Sequence, residues 1–251
     1  MTTQLELQMV AQPDEITCGP TCLHALYRYY GEEITVGQVI GECHTLESGG
    51  TLAVFLACHA LRKGYDATIY TYNLQVFDPT WFGPIEADIR DRLLRQIAHK
   101  PDAKLHTATR GYLEFIEGGG RLRFVDLTPD LIRGYLKRAI PILTGLSATY
   151  LYHCAREYGP KDTYDDIRGE PSGHFVVLTG YDPTHRNVLI ADPLHSNPVS
   201  QTHRYAVSID RAICAILLGV LTHDANLLII RPSRTAAGRG ERAGSHRRRR
   251  S

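Results

Sequence analysis

The chain has 251 residues, 43% of them hydrophobic, and its 28 basic side chains nearly balance 27 acidic ones for a formal net charge of +1. That is enough apolar content for a full core, in one large domain by preference over two small ones. The longest apolar run, 212–221, is far too short to span a bilayer, and six cysteines without small-scaffold spacing, with no signal peptide after Met1, point to a reducing cytoplasm.

The first landmark is the run Gln12-Pro-Asp-Glu-Ile-Thr-Cys18-Gly-Pro-Thr-Cys22. Gly19 permits a tight turn, and Pro20, with φ preset and no amide hydrogen, is expected as the first residue of a helix. Leu23, Leu26, Tyr27 and Tyr30 follow at i, i+3, i+4 and i+7, an apolar stripe that Gly31 ends. Cys18 is thereby set at the positive end of a helix, where unpaired amides and the dipole favour a thiolate. Cys22 reads as packing beneath it.

Residues 51–63 read as a helix followed by Gly64, and 66–72 as an alternating strand. Ile85, Ile89, Leu93 and Ile97 mark another helix, 112–116 a shorter one, and 121–125 a brief strand. Thr128-Pro129 caps a helix to about Arg138, after which 141–146 is apolar enough for a buried strand. Cys58 and Cys214 are expected as core thiols in helical stretches.

The polar stretch 156–172 reads as a long loop whose part 158–169 is expected to cover a site partly. His174 opens Phe175-Val-Val-Leu178, a β-branched core strand closed by Gly180, with His174 at its exposed entry and Gly173 leaving room for a substrate backbone. Asn187-Val-Leu-Ile-Ala-Asp192-Pro193 is a second short strand ending in a carboxylate, and the proline ends its ladder. If these strands are neighbours, Asp192 holds one ring nitrogen of His174 and leaves the other for the sulfur. Residues 204–207 read as a strand, Ser208 caps a helix through Leu218, and 226–230 closes the sheet. Residues 232–251 are rich in Arg, Gly and Ser and end in Arg247-Arg-Arg-Arg250; a solvated, disordered tail is expected there in preference to a nucleic-acid contact.

Taken singly, each landmark has a plainer meaning: Cys18 as a small buried hydrophobe, His174 as a satisfied strand-end histidine, Asp192 as half of a common Asp-Pro turn, Gln12 as a loop residue. Together they form the parts of a cysteine-nucleophile enzyme, with Gln12 donating to an oxyanion beside the Cys18 amide. The doublets Cys43-His44, Cys58-His59 and His153-Cys154 diverge in direction, and no C-x-x-C or H-E-x-x-H occurs, so neither metal nor cofactor is expected.

With these residues in view, the sequence resembles the papain-like cysteine peptidases of the bacteriocin-processing type, which remove double-glycine leader peptides. The shared pattern is a glutamine six residues before a cysteine at a C-G-P helix start, a distant His in an H-F-V-V strand, and Asp in a D-P pair; it covers residues 10–31 and 171–194. The resemblance implies Cys18 as nucleophile, His174 as general base and acid, Asp192 as the orienting residue and Gln12 as oxyanion donor. It also implies an α+β papain-like fold over 1–231, the nucleophile helix packed on an antiparallel sheet and 65–140 a mostly helical elaboration. Thr17 stands where that family often has an acidic residue, and the interval from Cys18 to His174 is longer than in the compact leader-cleaving domains. The expected chemistry is hydrolysis of a peptide or other amide bond through an acyl-enzyme. A papain-like acyltransferase and a non-catalytic peptide-binding module use the same residues and stay open at this point, as do the identity of the substrate and the oligomeric state.

Overall fold

In a computed structural model of the protein, residues 2–46, 49–83 and 88–233 are described. Eight helices are found among them: α1 (Cys18–Tyr29), α2 (Val36–Glu42), α3 (Ala53–Arg62), α4 (Ile89–His99), α5 (Ala103–Glu117), α6 (Pro129–Leu136), α7 (Ala148–Tyr152) and α8 (Ile209–Leu218). The strands are β1 (Thr3–Gln4), β2 (Tyr65–Thr71), β3 (Arg121–Arg123), β4 (Ile142–Ser147), β5 (Glu157–Tyr158), β6 (Thr163–Tyr164), β7 (Gly173–Asp182), β8 (Asn187–Ala191), β9 (Arg204–Ser208) and β10 (Asn226–Pro232). Local chemistry sets many of the helix starts. Thr128 accepts from the Leu131 amide before Pro129, Ser208 accepts from the Arg211 amide, and Thr35 with Gln38 makes a capping box.

The main sheet runs β3-β2-β10-β4-β7-β8-β9, with β1 paired to the far end of β7, and β5 and β6 form a separate hairpin. Its pairings are antiparallel except for β2 with β3. All of β4 is buried, because helices cover both faces of the sheet. On one face Leu23, Leu26, Leu56 and Phe115 from α1, α3 and α5 meet Leu143, Phe175, Val177 and Leu228. On the other, Ile132, Leu136, Ile209 and Ile216 from α6 and α8 meet Leu146, Val176, Leu178 and Ile229.

The structure departs from the sequence expectations at several points. The first helix begins at Cys18 itself, so Pro20 is its third residue; the missing amide hydrogen of proline is equally harmless there, since first-turn amides have no intrahelical partner. The short helix expected at 112–116 is the last third of α5, whose polar first half is started by Asp102 accepting from the Lys104 and Leu105 amides. Gly180 does not end β7; the strand passes a register shift there and continues to Asp182, and the missing Cβ admits the backbone of Thr3 from β1. β10 lies between β2 and β4 instead of closing the sheet, and the stretch 65–140 contributes β2 and β3 to that sheet as well as helices. Cys58 is a core thiol, whereas Cys214 is exposed. Ile85 and the tail beyond residue 233 lie outside the described residues, among which no helix is long and apolar enough to cross a membrane.

One core residue is titratable near neutrality. Asp224 is buried beside Gly145 at the start of α3, where its Oδ1 accepts from the Ala53 amide and from Asn226. Burial pushes its carboxyl up to about 7 despite those two bonds. A carboxyl raised in the folded state binds its proton more tightly than in the unfolded chain, so it costs stability as pH rises from the usual carboxylate range through 7. Asp224→Asn is therefore expected to gain about 1 kcal/mol or more relative to the parent at pH 8 and little or nothing at pH 4. Urea unfolding at both pH values checks this, and an equal effect at the two would show that the carboxyl does not titrate in this range.

Candidate active site

Cys18 is the first residue of α1, half-buried, with its backbone amide outside the intrahelical ladder. The helix can enter the core so closely because Gly19 follows: a Cβ there would sit 2.7 Å from Thr51 Cγ2 and 3.2 Å from Phe175. One turn on, Cys22 is fully buried and its Sγ lies 3.3 Å from the Phe175 carbonyl, which ties α1 to β7. Burial, and then the nearby Cys18 and Asp192, hold the Cys22 thiol well above the ordinary range. Cys22 is thus a neutral packing group under the half-buried Cys18.

His174 is the second residue of β7, and the hairpin with β8 brings it to Asp192 just past the end of β8. His174 Nε2 lies 2.8 Å from Asp192 Oδ1, which leaves Nδ1 free on the other side of the ring, and the Cys18 side chain is near enough to act on the charge of the ring. The residue is buried, not at an exposed strand entry as the sequence suggested. Burial disfavours the charged ring, but the charge and hydrogen bond of Asp192, with Cys18, raise its pKa to about 10. The imidazole therefore keeps its proton through the neutral range.

Asp192 is completely buried and receives four donors. Oδ1 takes His174 and the Leu194 amide at 2.9 Å; Oδ2 takes Tyr152 Oη at 2.9 Å and Tyr205 Oη at 2.6 Å. Against the upward push of burial, the His174 charge and these hydrogen bonds bring the carboxyl below its usual range. The backbone is held as firmly: the Asp192 amide donates to the His203 carbonyl at 2.8 Å, and His203 Nδ1 lies 2.7 Å from the Asp192 carbonyl.

Gln12 is tethered to this turn, its amide donating to the Pro193 carbonyl at 3.0 Å. Its Nε2 donates to the Asp14 carbonyl at 2.9 Å, which occupies one of two amide hydrogens, and its Oε1 is buried without a partner among the described residues. Gly173 is exposed, but its Cβ side is packed: a Cβ there would lie 2.6 Å from Thr222 Oγ1. Gly173→Ala is expected to cost about 1 kcal/mol by crowding Thr222 and to displace the adjoining His174, seen as a lower melting temperature together with reduced turnover. Unchanged turnover would separate the Thr222 contact from the site. The β5–β6 hairpin borders the site through half-buried Glu157, which interacts with Ser172, Glu15 and His174, while Tyr158, Tyr164 and Ile167 face solvent.

Residues 116–212 match the model of the Peptidase_C39 like family. A putative C39-like peptidase from Bacillus anthracis superposes with a TM-score of 0.50 at 14% identity, covering 92% of this chain and 98% of that one. The chain has a C39-like peptidase fold. Two further structures align more loosely: a double glycine motif protease from an AMS/PCAT transporter in complex with the leader peptide, at TM-score 0.45 and 12% identity over 93% of this chain and 99% of that one; and the peptidase domain of Streptococcus ComA, at 0.43 and 14% over 91% and 100%. No curated protein matches.

The matched segment holds Tyr152, His174, Asp192 and Tyr205, while Gln12 and Cys18 precede it. The two tyrosines are the part of the site that sequence reasoning misses. Tyr205 reaches Asp192 because it pairs with Ile190 across β8 and β9, and Tyr152 because α7, capped by Ser147, turns back over the start of β7. Nothing local distinguishes them from the other tyrosines among the 14 in the chain.

Proposed function

We propose that this protein is a cysteine peptidase or amidase that cleaves a peptide or other amide bond through an acyl-enzyme on Cys18. What supports this reading is the His174 ring, bonded through Nε2 to a buried carboxylate, with Cys18 at the start of α1 near enough to act on the charge of the ring. The sulfur attacks the substrate carbonyl carbon, a C–S bond forms, and the carbonyl electrons move to oxygen. The Cys18 backbone amide and the second Nε2 hydrogen of Gln12 are the donors available to that oxyanion. His174 passes its proton to the leaving nitrogen as the C–N bond breaks. Water then attacks the thioester with His174 accepting its proton, and the C–S bond breaks to release the acid and return the sulfur. Asp192 keeps the ring in one tautomer and orientation throughout.

Low-dose iodoacetamide at pH 6 tests this without a known substrate. Cys18 is expected to be alkylated ahead of Cys214, which is exposed and so controls for simple access, and ahead of half-buried Cys154. Labelling of Cys214 as fast as Cys18 would refute an activated sulfur, and the reading with it.

A further inference from the structure

Asp192 is saturated from both sides, and only one side belongs to the triad. Tyr152 comes from α7 and Tyr205 from β9, two elements far apart in sequence, yet both phenols end on the same atom, Oδ2, at 2.9 and 2.6 Å. A buried carboxylate needs its lone pairs satisfied, but a single phenol or a backbone amide would meet that requirement. Two phenols converging on one oxygen do more. They leave Oδ1 as the sole atom through which Asp192 meets His174, and they localise the carboxylate's charge against two donors that do not themselves give up protons. Both phenols are pushed far above their usual range, first by burial and then by the Asp192 charge, so they keep their protons and donate through the neutral range. Tyr152 has a second contact: its ring lies 6.0 Å from that of His174, at 49°.

We infer that Tyr152 and Tyr205 are positioning residues of the site, a phenol clamp that fixes the orientation of Asp192 and keeps it ionised, and through it sets the pH range over which His174 serves Cys18. This rests on the proposed cysteine chemistry for its consequence, though not for its geometry. Neither tyrosine touches the reacting atoms. Each acts through the carboxylate.

Two measurements separate the clamp from mere packing. In the parent, Tyr152→Phe, Tyr205→Phe and the double variant, the side-chain carboxyl carbon of Asp192 is followed by NMR in 13C-labelled protein as pH is lowered. Each lost hydroxyl removes a hydrogen bond to a charged group, so the Asp192 midpoint is expected to rise by about one pH unit per phenol, and further in the double variant. In the same proteins the fall in Cys18 alkylation rate that accompanies protonation of Asp192 is expected to move to higher pH with the Asp192 midpoint, by about one pH unit per hydroxyl. The phenylalanine variants keep the rings and their packing, so a purely structural role would lower the melting temperature and leave both midpoints in place. Unmoved Asp192 midpoints in folded variants would overturn the clamp. If the parent's Cys18 shows no preferential alkylation while the Asp192 midpoints still shift, the clamp stands and the proposed cysteine chemistry fails.

Discussion

Cys18→Ala is expected to remove peptide or amide turnover by at least about a thousandfold while leaving the fold within roughly 1 kcal/mol of the parent. The sulfur is the only atom group removed, it is half-buried at the first position of α1, and alanine continues that helix without a new contact. Turnover over a peptide and amide library, measured against the parent, is the readout. His174→Ala is expected to cause a similar loss, and the double variant little more than either alone, because in the proposed mechanism nucleophile and base act as one unit. Additive losses would mean that the two residues work independently, and full activity of either single variant would remove it from the mechanism.

The second large effect belongs to Asp192. An asparagine there presents one acceptor and one donor where four donors converge, so whichever way the amide turns, its NH2 faces either His174 and the Leu194 amide or the two phenols. Breaking a buried pair in this way costs about 3–5 kcal/mol, and the misoriented imidazole is expected to lower turnover by about 10⁴-fold. The pH dependence follows from the signs. The depressed carboxyl of Asp192 contributes stability above its unfolded range, and that contribution is lost as pH falls through the lower folded value. The raised ring of His174 contributes stability that is complete below about 6.5 and is lost as pH rises through about 10. The stability gap between parent and Asp192→Asn should therefore be widest between about pH 4 and 6.5 and narrow on either side. Urea unfolding at pH 3, 5.5 and 10 measures it. A gap constant across those three values would mean that the pair is not ionised as described.

Much of the frame was legible because its signals are local. Caps at Thr128 and Ser208, the stripe behind Cys18, the apolar run of β4 and the turn at Asp192-Pro193 each reside in a few adjacent residues, and these elements appear within one to three residues of their expected ends. Elements whose pattern is broken by a glycine or a polar stretch differ from the sequence expectation. The first half of α5 is polar, and Gly111 in its second half lies where α3 packs so closely that a Cβ would come within 2.7 Å of Phe55. The end of β7 was drawn at Gly180, since a glycine in a strand usually marks a break; here it marks the approach of β1.

The site divides in the same way. Cys18, His174, Asp192 and Gln12 stand out in the chain because each lies at an element boundary with a recognisable neighbour, and their types together suggest the proposed chemistry. Sequence alone determined that much: which groups are present, and on which kinds of element they sit. Only the tertiary structure decided that the His174 ring is buried, that Thr222 packs on the Cβ side of Gly173, and that Asp192 is gripped by Tyr152 and Tyr205, 40 and 13 positions away. Strand register and the packing of helices on both faces of a sheet set such contacts, and a hydrogen bond between residues that far apart leaves no trace in the few residues around either one.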